Sequence, residues 1–216
     1  MGIGTAIING STAWLAHIIV HKEYRSAGIG TAITKSLVEL IRNHSCATML
    51  LIATALGEPV YRKLGFTVEA QYLFLDHGKL PVPAEEKCII PFHPKYQSAL
   101  LQFDQLISGE ARENLLNPHL SGSKLFLDGD ELKGIYLPSL GEGFIAALDS
   151  HAGTEFMKHK WRINKMFCVP VQNEHGIEFL KRHGFKEVRK ASRMILGKKI
   201  PWNGSKIYSR IGGNLG

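Results

Sequence analysis

A mixed-sheet α/β fold is what this chain predicts, and three features point to it. Apolar runs of strand length alternate with amphipathic helical stretches between Thr12 and Phe66. The pair Asn9-Gly10, set between two β-prone runs, signals a hairpin and hence antiparallel strands. The continuous apolar run Thr48–Ala53 follows a helix, so it is expected to lie parallel to the strand before that helix. Both kinds of neighbour in one sheet make it mixed.

Each element has a local reason. Ile3–Ile8 predicts a strand, and Asn9-Gly10 a two-residue turn with positive φ at both positions. The return strand, Thr12–Val20, is apolar on both faces apart from His17, which predicts burial on both faces in the middle of a sheet. A helix over Gly28–Arg42 puts Ile29, Ile33, Leu37, Leu40 and Ile41 on one stripe, with Lys35, Glu39 and Arg42 outside it. Pro59 suits a helix start and Gly65 a helix stop, and Phe66–Leu75 follows as a strand. His77–Pro94 is proline-rich and aperiodic, as a linker is.

Beyond it the pattern restarts. Leu100–Leu116 has helical spacing, with Phe103, Leu106 and Ile107 on one side. Strands at Lys124–Leu127 and Leu132–Leu137 flank an Asp128-Gly129-Asp130 turn, and Phe144–Leu148 is a third strand. A helix near Gly153–Lys160, a strand at Lys165–Val171, a helix at Glu174–His183 and strands at Phe185–Leu196 and Lys206–Ile211 complete the chain. The expected division is a first domain over residues 1–77, a linker over 78–97 and a second domain over 98–216.

Composition narrows the function classes. With 216 residues, 44% hydrophobic and 21% charged, the chain has the make-up of an ordinary globular protein. No apolar run approaches the roughly 20 residues of a membrane span, so no membrane association is expected. The start, Met-Gly-Ile-Gly-Thr, lacks the basic segment and long apolar core of a secretory signal. Cys46, Cys88 and Cys168 are odd in number and scattered, which predicts reduced thiols in the cytoplasm. The 10 histidines include no His-Glu-x-x-His pattern, so no metal is expected. The net charge of +7 is uneven: Lys181 to Arg210 holds ten Lys or Arg and one acid, Glu187. Such a tract suits RNA or a solvated strand pair; the second is preferred, and nucleic acid is not favoured as a partner.

The stretch with the most chemistry is Trp14–Thr31. An apolar strand ends at Val20, and Arg25-Ser26-Ala27-Gly28-Ile29-Gly30 opens the next helix. Gly28 and Gly30 let the backbone turn sharply and let a ligand approach. The first amides of that helix point outward with the positive end of the helix dipole behind them, which suits an anion such as a pyrophosphate. A P-loop is excluded because no Gly-Lys-Ser/Thr occurs in the chain, and a dinucleotide fingerprint because its third glycine is Ile33. The pattern Val20-x-x-x-x-Arg25-x-x-Gly28-x-Gly30 resembles the pyrophosphate-binding motif of the GNAT acetyltransferase superfamily. Pro59-Val60-Tyr61-Arg62-Lys63-Leu64-Gly65-Phe66 is similar to the second motif of that family, a short helix ending in Tyr-x-x-x-Gly-Phe.

The resemblance implies an acyl-CoA N-acyltransferase fold, acetyl-CoA (coenzyme A) as cofactor, and a small-molecule or peptide amine as acceptor. It implies that Arg25, Ser26, Ala27, Gly28, Ile29, Gly30 and Thr31 hold the pyrophosphate, and that backbone groups of Ile18, Ile19 and Val20 hold the thioester carbonyl. Tyr61 matches the family tyrosine that protonates the leaving thiolate; packing in the core is the alternative for it. Two candidates stand for the base: His17, since imidazole side chains as a class change charge near neutral pH, and Glu58, just before the tyrosine. Where many members have an asparagine, Thr54–Glu58 has none. Family domains also begin with a strand, two helices and another strand before the hairpin, so the first domain is expected to be truncated at its start. Its sheet would then have an open edge at Gly2–Ile8, available for a homodimer. The second half echoes the first around Gly65-Phe66 and Gly184-Phe185, but Leu180 stands where Tyr61 stands, which implies a tandem protein whose second GNAT-like domain is degenerate. A non-catalytic acyl-CoA sensor and an RNA-binding module are the alternative functions.

Overall fold

The structure is a computed structural model that describes residues 1–77 and 89–216. The first strands, β1 (Gly2–Asn9) and β2 (Thr12–Val20), form an antiparallel hairpin. Its tip is Gly10-Ser11 rather than Asn9-Gly10, because Asn9 pairs with Thr12 and only Gly10 of the tip has a positive φ, 57°. A glycine leading a two-residue loop follows the II′ rather than the I′ pattern. Next comes α1 (Ile29–Asn43), which lies close over β1. A Cβ on Gly4 would stand 2.5 Å from Ile33 and 2.9 Å from Leu37, so the missing side chain permits the approach. The buried stripe of α1 centres on Thr34, Val38 and Ile41. Leu40, expected within it, falls on the flank and is 46% exposed.

β3 (Thr48–Ala53) runs parallel to β2 as expected, but only over Thr12↔Thr48, Ala13↔Met49 and Trp14↔Leu50. Past Trp14 the strands part. That parting explains why the expected burial of β2 on both faces holds for Thr12–Ala16 and fails from His17 onward. α2 (Glu58–Lys63) starts with Pro59 in its first turn and stops at Gly65, whose φ of 91° only glycine adopts cheaply. Phe66 is buried, and β4 (Thr67–His77) follows.

After residue 88 come β5 (Ile89–Pro91), α3 (Gln97–Ser108), α4 (Glu113–Leu116), β6 (Lys124–Asp128), β7 (Glu131–Leu137) and β8 (Phe144–Ala147). The chain ends with α5 (Ser150–Trp161), β9 (Met166–Pro170), α6 (Glu174–Arg182), β10 (Phe185–Gly197) and β11 (Ile207–Ser209). Residues 78–88 of the expected linker lie outside the described residues. Its later part is built into a sheet, since Ile89–Pro91 pairs with β6. The helix expected over Leu100–Leu116 is broken at Gly109, which caps α3 with a φ of 71°. A buried ion pair fixes the turn that follows: Arg112 Nη2 and Nε donate to Asp104 at 2.7 and 2.8 Å.

The residues cluster into two compact units that are not successive pieces of chain. The first comprises Met1–Gln71, Ala191–Ile200 and Gly212–Gly216; the second comprises Tyr72–Lys190 and Pro201–Ile211. A sequential cut at residue 77 differs from this because β10 runs 13 residues, and its Ser192–Gly197 portion pairs antiparallel with Thr48–Ala53 of β3. In the first unit the strand order is β1-β2-β3-β10-β4, and Ala13, Leu15, Val38, Ile41, Leu51, Phe66 and Met194 form its core. In the second unit β11-β8-β7-β6-β5 is an antiparallel sheet, and β9 pairs with Tyr72–Asp76 of β4. Its core gathers Leu73, Phe126, Phe156, Trp161, Phe167 and Phe185.

Candidate active site

The start of α1 is built to leave amides free. Gly28 precedes the helix with a φ of 78°, Ser26 has a φ of 66°, and no side chain caps the end. The first helical bond is Ala32 N to Gly28 O at 3.0 Å, which leaves the amides of Ile29, Gly30 and Thr31 ahead of the ladder. The two glycines serve differently. A side chain at Gly28 would meet nothing within 4 Å, so that glycine is required by its backbone angle and borders open space. At Gly30 a Cβ would make only an ordinary 3.7 Å contact with Val20, so the protein's own packing does not require glycine there. Arg25 folds back, its Nε donating to Val20 O at 3.1 Å. Ala27 is exposed.

His17 sits at a bulge. The ladder pairs Ile3 with Ile19 but Thr5 with Ala16, so β2 has one extra residue, with His17 and Ile18 facing Gly4. His17 takes a φ of 49°, rare for a residue with a side chain. The ring is exposed, and its Nδ1 lies 3.2 Å from Thr5 Oγ1. Beyond it Ile18, Ile19 and Val20 are half-buried or exposed, on the stretch of β2 that β3 no longer accompanies.

At the end of β3, α2 presents Tyr61 and Glu58. Tyr61 is half-buried, edge-on to Phe66 with centroids 6.2 Å apart, and a Cβ on Gly57 would press on its ring at 3.0 Å. Burial pushes its phenol above the ordinary value. Glu58 is differently placed: its carboxylate accepts from Ser192 Oγ at 2.6 Å and from Arg62 Nε at 2.8 Å. The Ser192 hydrogen bond first, then Arg62, holds its pKa below the usual carboxylate value. Because β2 and β3 are parallel, their carboxyl ends share one end of the sheet. His17, the start of α1 and α2 all belong to that end. Neither Thr5 nor Ser192 was legible as a partner: an Asn9-Gly10 turn would set Thr5 opposite Trp14 rather than Ala16, and Ser192 lies 134 residues from Glu58.

The acetyltransferase (GNAT) domain family matches residues 1–68, the part of the chain that contains all of these groups except Ser192. Residues 1–68 are similar in sequence to GNAT acetyltransferase domains. Two curated relatives are similar to part of the chain. The glucosamine 6-phosphate N-acetyltransferase of Trypanosoma brucei brucei is 34% identical over 59 residues, 27% of this chain and 40% of that protein. The uncharacterized protein YyaT of Bacillus subtilis is 32% identical over 78 residues, 36% of this chain and 52% of its own. The chain thus spans between two fifths and about half of the relatives' length. Among solved structures, a candidate acetyltransferase from Pyrococcus horikoshii superposes with a TM-score of 0.86 at 22% identity, covering 100% of this chain and 76% of that one. A GCN5-related N-acetyltransferase from Sphaerobacter thermophilus gives a TM-score of 0.58 at 14% identity, over 96% and 79% of the two chains.

One turn of the second unit is similar to the turn after α2. Gly184, like Gly65, has a positive φ, 82°, and is followed by a buried phenylalanine. At α5, however, Asp149 caps the helix, its carboxylate accepting from Ala152 N at 2.8 Å. A carboxylate there fills the place where an anion would be held. β11 lies beside β8 and is tied to β9 by Arg210 N donating to Cys168 O at 3.1 Å. Lys160 is buried against it, donating to Ser209 Oγ at 2.6 Å and Glu142 O at 2.5 Å. No group of side chains suited to a metal occurs among the described residues.

Proposed function

We propose that the chain is an N-acetyltransferase that moves an acetyl group from acetyl-CoA to an amine, using the first unit. The observation that supports this best is the uncapped start of α1, with Gly28 at positive φ beside open space, next to the point where β2 and β3 part. Residues Arg25–Thr31 would hold the pyrophosphate through backbone amides, and Ile18–Val20 the thioester carbonyl. His17 takes a proton from the acceptor amine, directly or through water, so that a neutral nitrogen attacks the carbonyl. Glu58 suits this task less well: a carboxylate held below its usual pKa by two donors is a weak base. Tyr61 then gives its proton to the departing thiolate and regains one from the nitrogen, which sheds its second proton as the amide forms, so that coenzyme A and an amide are left. Its raised pKa keeps the phenol protonated at neutral pH until the thiolate forms.

Calorimetry with coenzyme A tests the loop. Gly28→Glu places a side chain and a negative charge where the pyrophosphate would lie, and binding should vanish; unchanged affinity in a folded variant overturns the assignment. Turnover against a panel of amines, with glucosamine 6-phosphate included because of the trypanosome relative, separates a transferase from a non-catalytic acyl-CoA sensor. Two observations bear on partners and location. The outer edge of β1 has no strand among the described residues and exposes Ile3 and Ile8, which supports pairing with a second copy. Free, buried Cys46 and Cys168 support a reducing, cytoplasmic setting, and no helix among the described residues is long and apolar enough to cross a membrane.

A further inference from the structure

Thr5 has one hydroxyl hydrogen and two neighbours that want it. Its Oγ1 donates to Ala16 O at 3.0 Å, and the same oxygen stands 3.2 Å from His17 Nδ1. A hydroxyl offers one hydrogen and two acceptor lone pairs. With the hydrogen directed at Ala16, the contact with His17 is a hydrogen bond only if Nδ1 carries the proton. A neutral imidazole protonated at Nδ1 has Nε2 as its acceptor. The backbone is arranged for this meeting. Thr5 and Ala16 are direct partners and share a face, so in a regular ladder residue 17 would point to the other face. The extra residue of the bulge and the φ of 49° bring the His17 ring back to Thr5. Backbone strain of this kind persists where surroundings fix it, and it clusters at functional sites.

We propose that Thr5 is a positioning residue that holds neutral His17 as its Nδ1–H tautomer and so leaves Nε2 as the nitrogen that accepts a proton. The use of Nε2 on an acceptor amine rests on the acetyltransferase reading; the tautomer does not. Thr5 is exposed on an edge strand, so Thr5→Val, which keeps the shape and removes the hydroxyl, should fold normally.

Long-range nitrogen-15 correlation spectra of histidine-labelled protein, taken where the ring is neutral, read the tautomer without any need for activity. The wild type should show a protonated Nδ1 and a bare Nε2. Thr5→Val should lose that preference and Thr5→Ser should keep it. In acetyl-CoA turnover, Thr5→Val should lower kcat at least about tenfold, a small part of the loss known when a catalytic histidine is held in the wrong tautomer. The KM for acetyl-CoA should stay, and Thr5→Ser should restore kcat. A wild-type ring protonated at Nε2, or a tautomer that Thr5→Val leaves unchanged, overturns the proposal. An Nδ1–H spectrum from a wild type with no turnover on any amine upholds the role of Thr5 and sinks the transferase reading instead.

Discussion

Glu58 and Tyr61 lie on one short helix, and their surroundings drive them to opposite protonation behaviour. Glu58 is held ionised by Ser192 and Arg62, while burial keeps the Tyr61 phenol protonated. If Tyr61 is the proton donor, Tyr61→Phe keeps the ring against Phe66 and removes only the hydroxyl. Turnover should fall roughly 10²–10⁴-fold, the range for losing a general acid, with coenzyme A affinity nearly constant. The loss should shrink for an acyl donor with a more acidic thiol. Unchanged turnover with a lowered melting temperature would make Tyr61 a packing residue. Glu58 has a separate signature. Its folded pKa lies below its unfolded one, so its pairing stabilises the fold above the ordinary value of about 4.3 and ceases to do so as pH falls through the lowered pKa. Ser192→Ala removes the largest cause of that depression. The Glu58 titration followed by carbon-13 NMR should then move up toward the ordinary value, and acid unfolding should begin at higher pH.

Helices α1 and α5 begin in contrasting ways, and each contrast is testable. Gly30 sits where a Cβ finds ordinary contact, within a helix in which glycine is a poor former. Gly30→Ala should therefore raise stability by up to about 1 kcal/mol while it weakens coenzyme A binding, since only a ligand needs that space. A gain in stability with affinity intact would mean that the loop does not hold the pyrophosphate. At α5, Asp149→Ala removes a cap and should cost about 1 kcal/mol of stability, read as a lower denaturation midpoint. The elements themselves were largely readable from sequence, since hydrophobic period, Pro59 and Gly65 are local signals. Gly109 was missed because the apolar period continues across it, and the buried Arg112–Asp104 pair beside the turn is not a local pattern. The glycine turn that opens α1 and the short helix that carries Tyr61 were readable from sequence. What was hidden was partner choice: one extra residue in β2 brings the His17 ring to Thr5, and β10 brings Ser192 to Glu58.

Across the whole chain the formal charge of +7 overstates what solvent meets. Arg193 and Arg210, both in the basic tract, are buried and paired with Glu69 and Glu142 at 2.7 Å, which removes two of its ten cations from any RNA-facing surface. Lys160, another buried cation, makes stability depend on pH. Lys160 is 1% exposed, and burial pulls its amine down to about 8 from 10.5. Below pH 8 it is charged in both folded and unfolded chains, and the cost of burying the charge is constant. Between about 8 and 10.5 the folded protein releases the proton while the unfolded chain keeps it. The unfolded state then binds more protons, so this group makes stability rise with pH, by about 3 kcal/mol at most over the window. Cys168 acts in the opposite sense, because burial pushes its thiol up to about 12 and the folded state holds that proton longer. The two effects overlap in a wild-type profile, so the comparison must be with Lys160→Met, which removes the first and leaves the second. Denaturation midpoints of both proteins from pH 7.5 to 10.5 should show the difference moving steadily in the wild type's favour. A flat difference would mean that Lys160 keeps its charge throughout, held by Ser209 and the Glu142 carbonyl strongly enough to offset its burial.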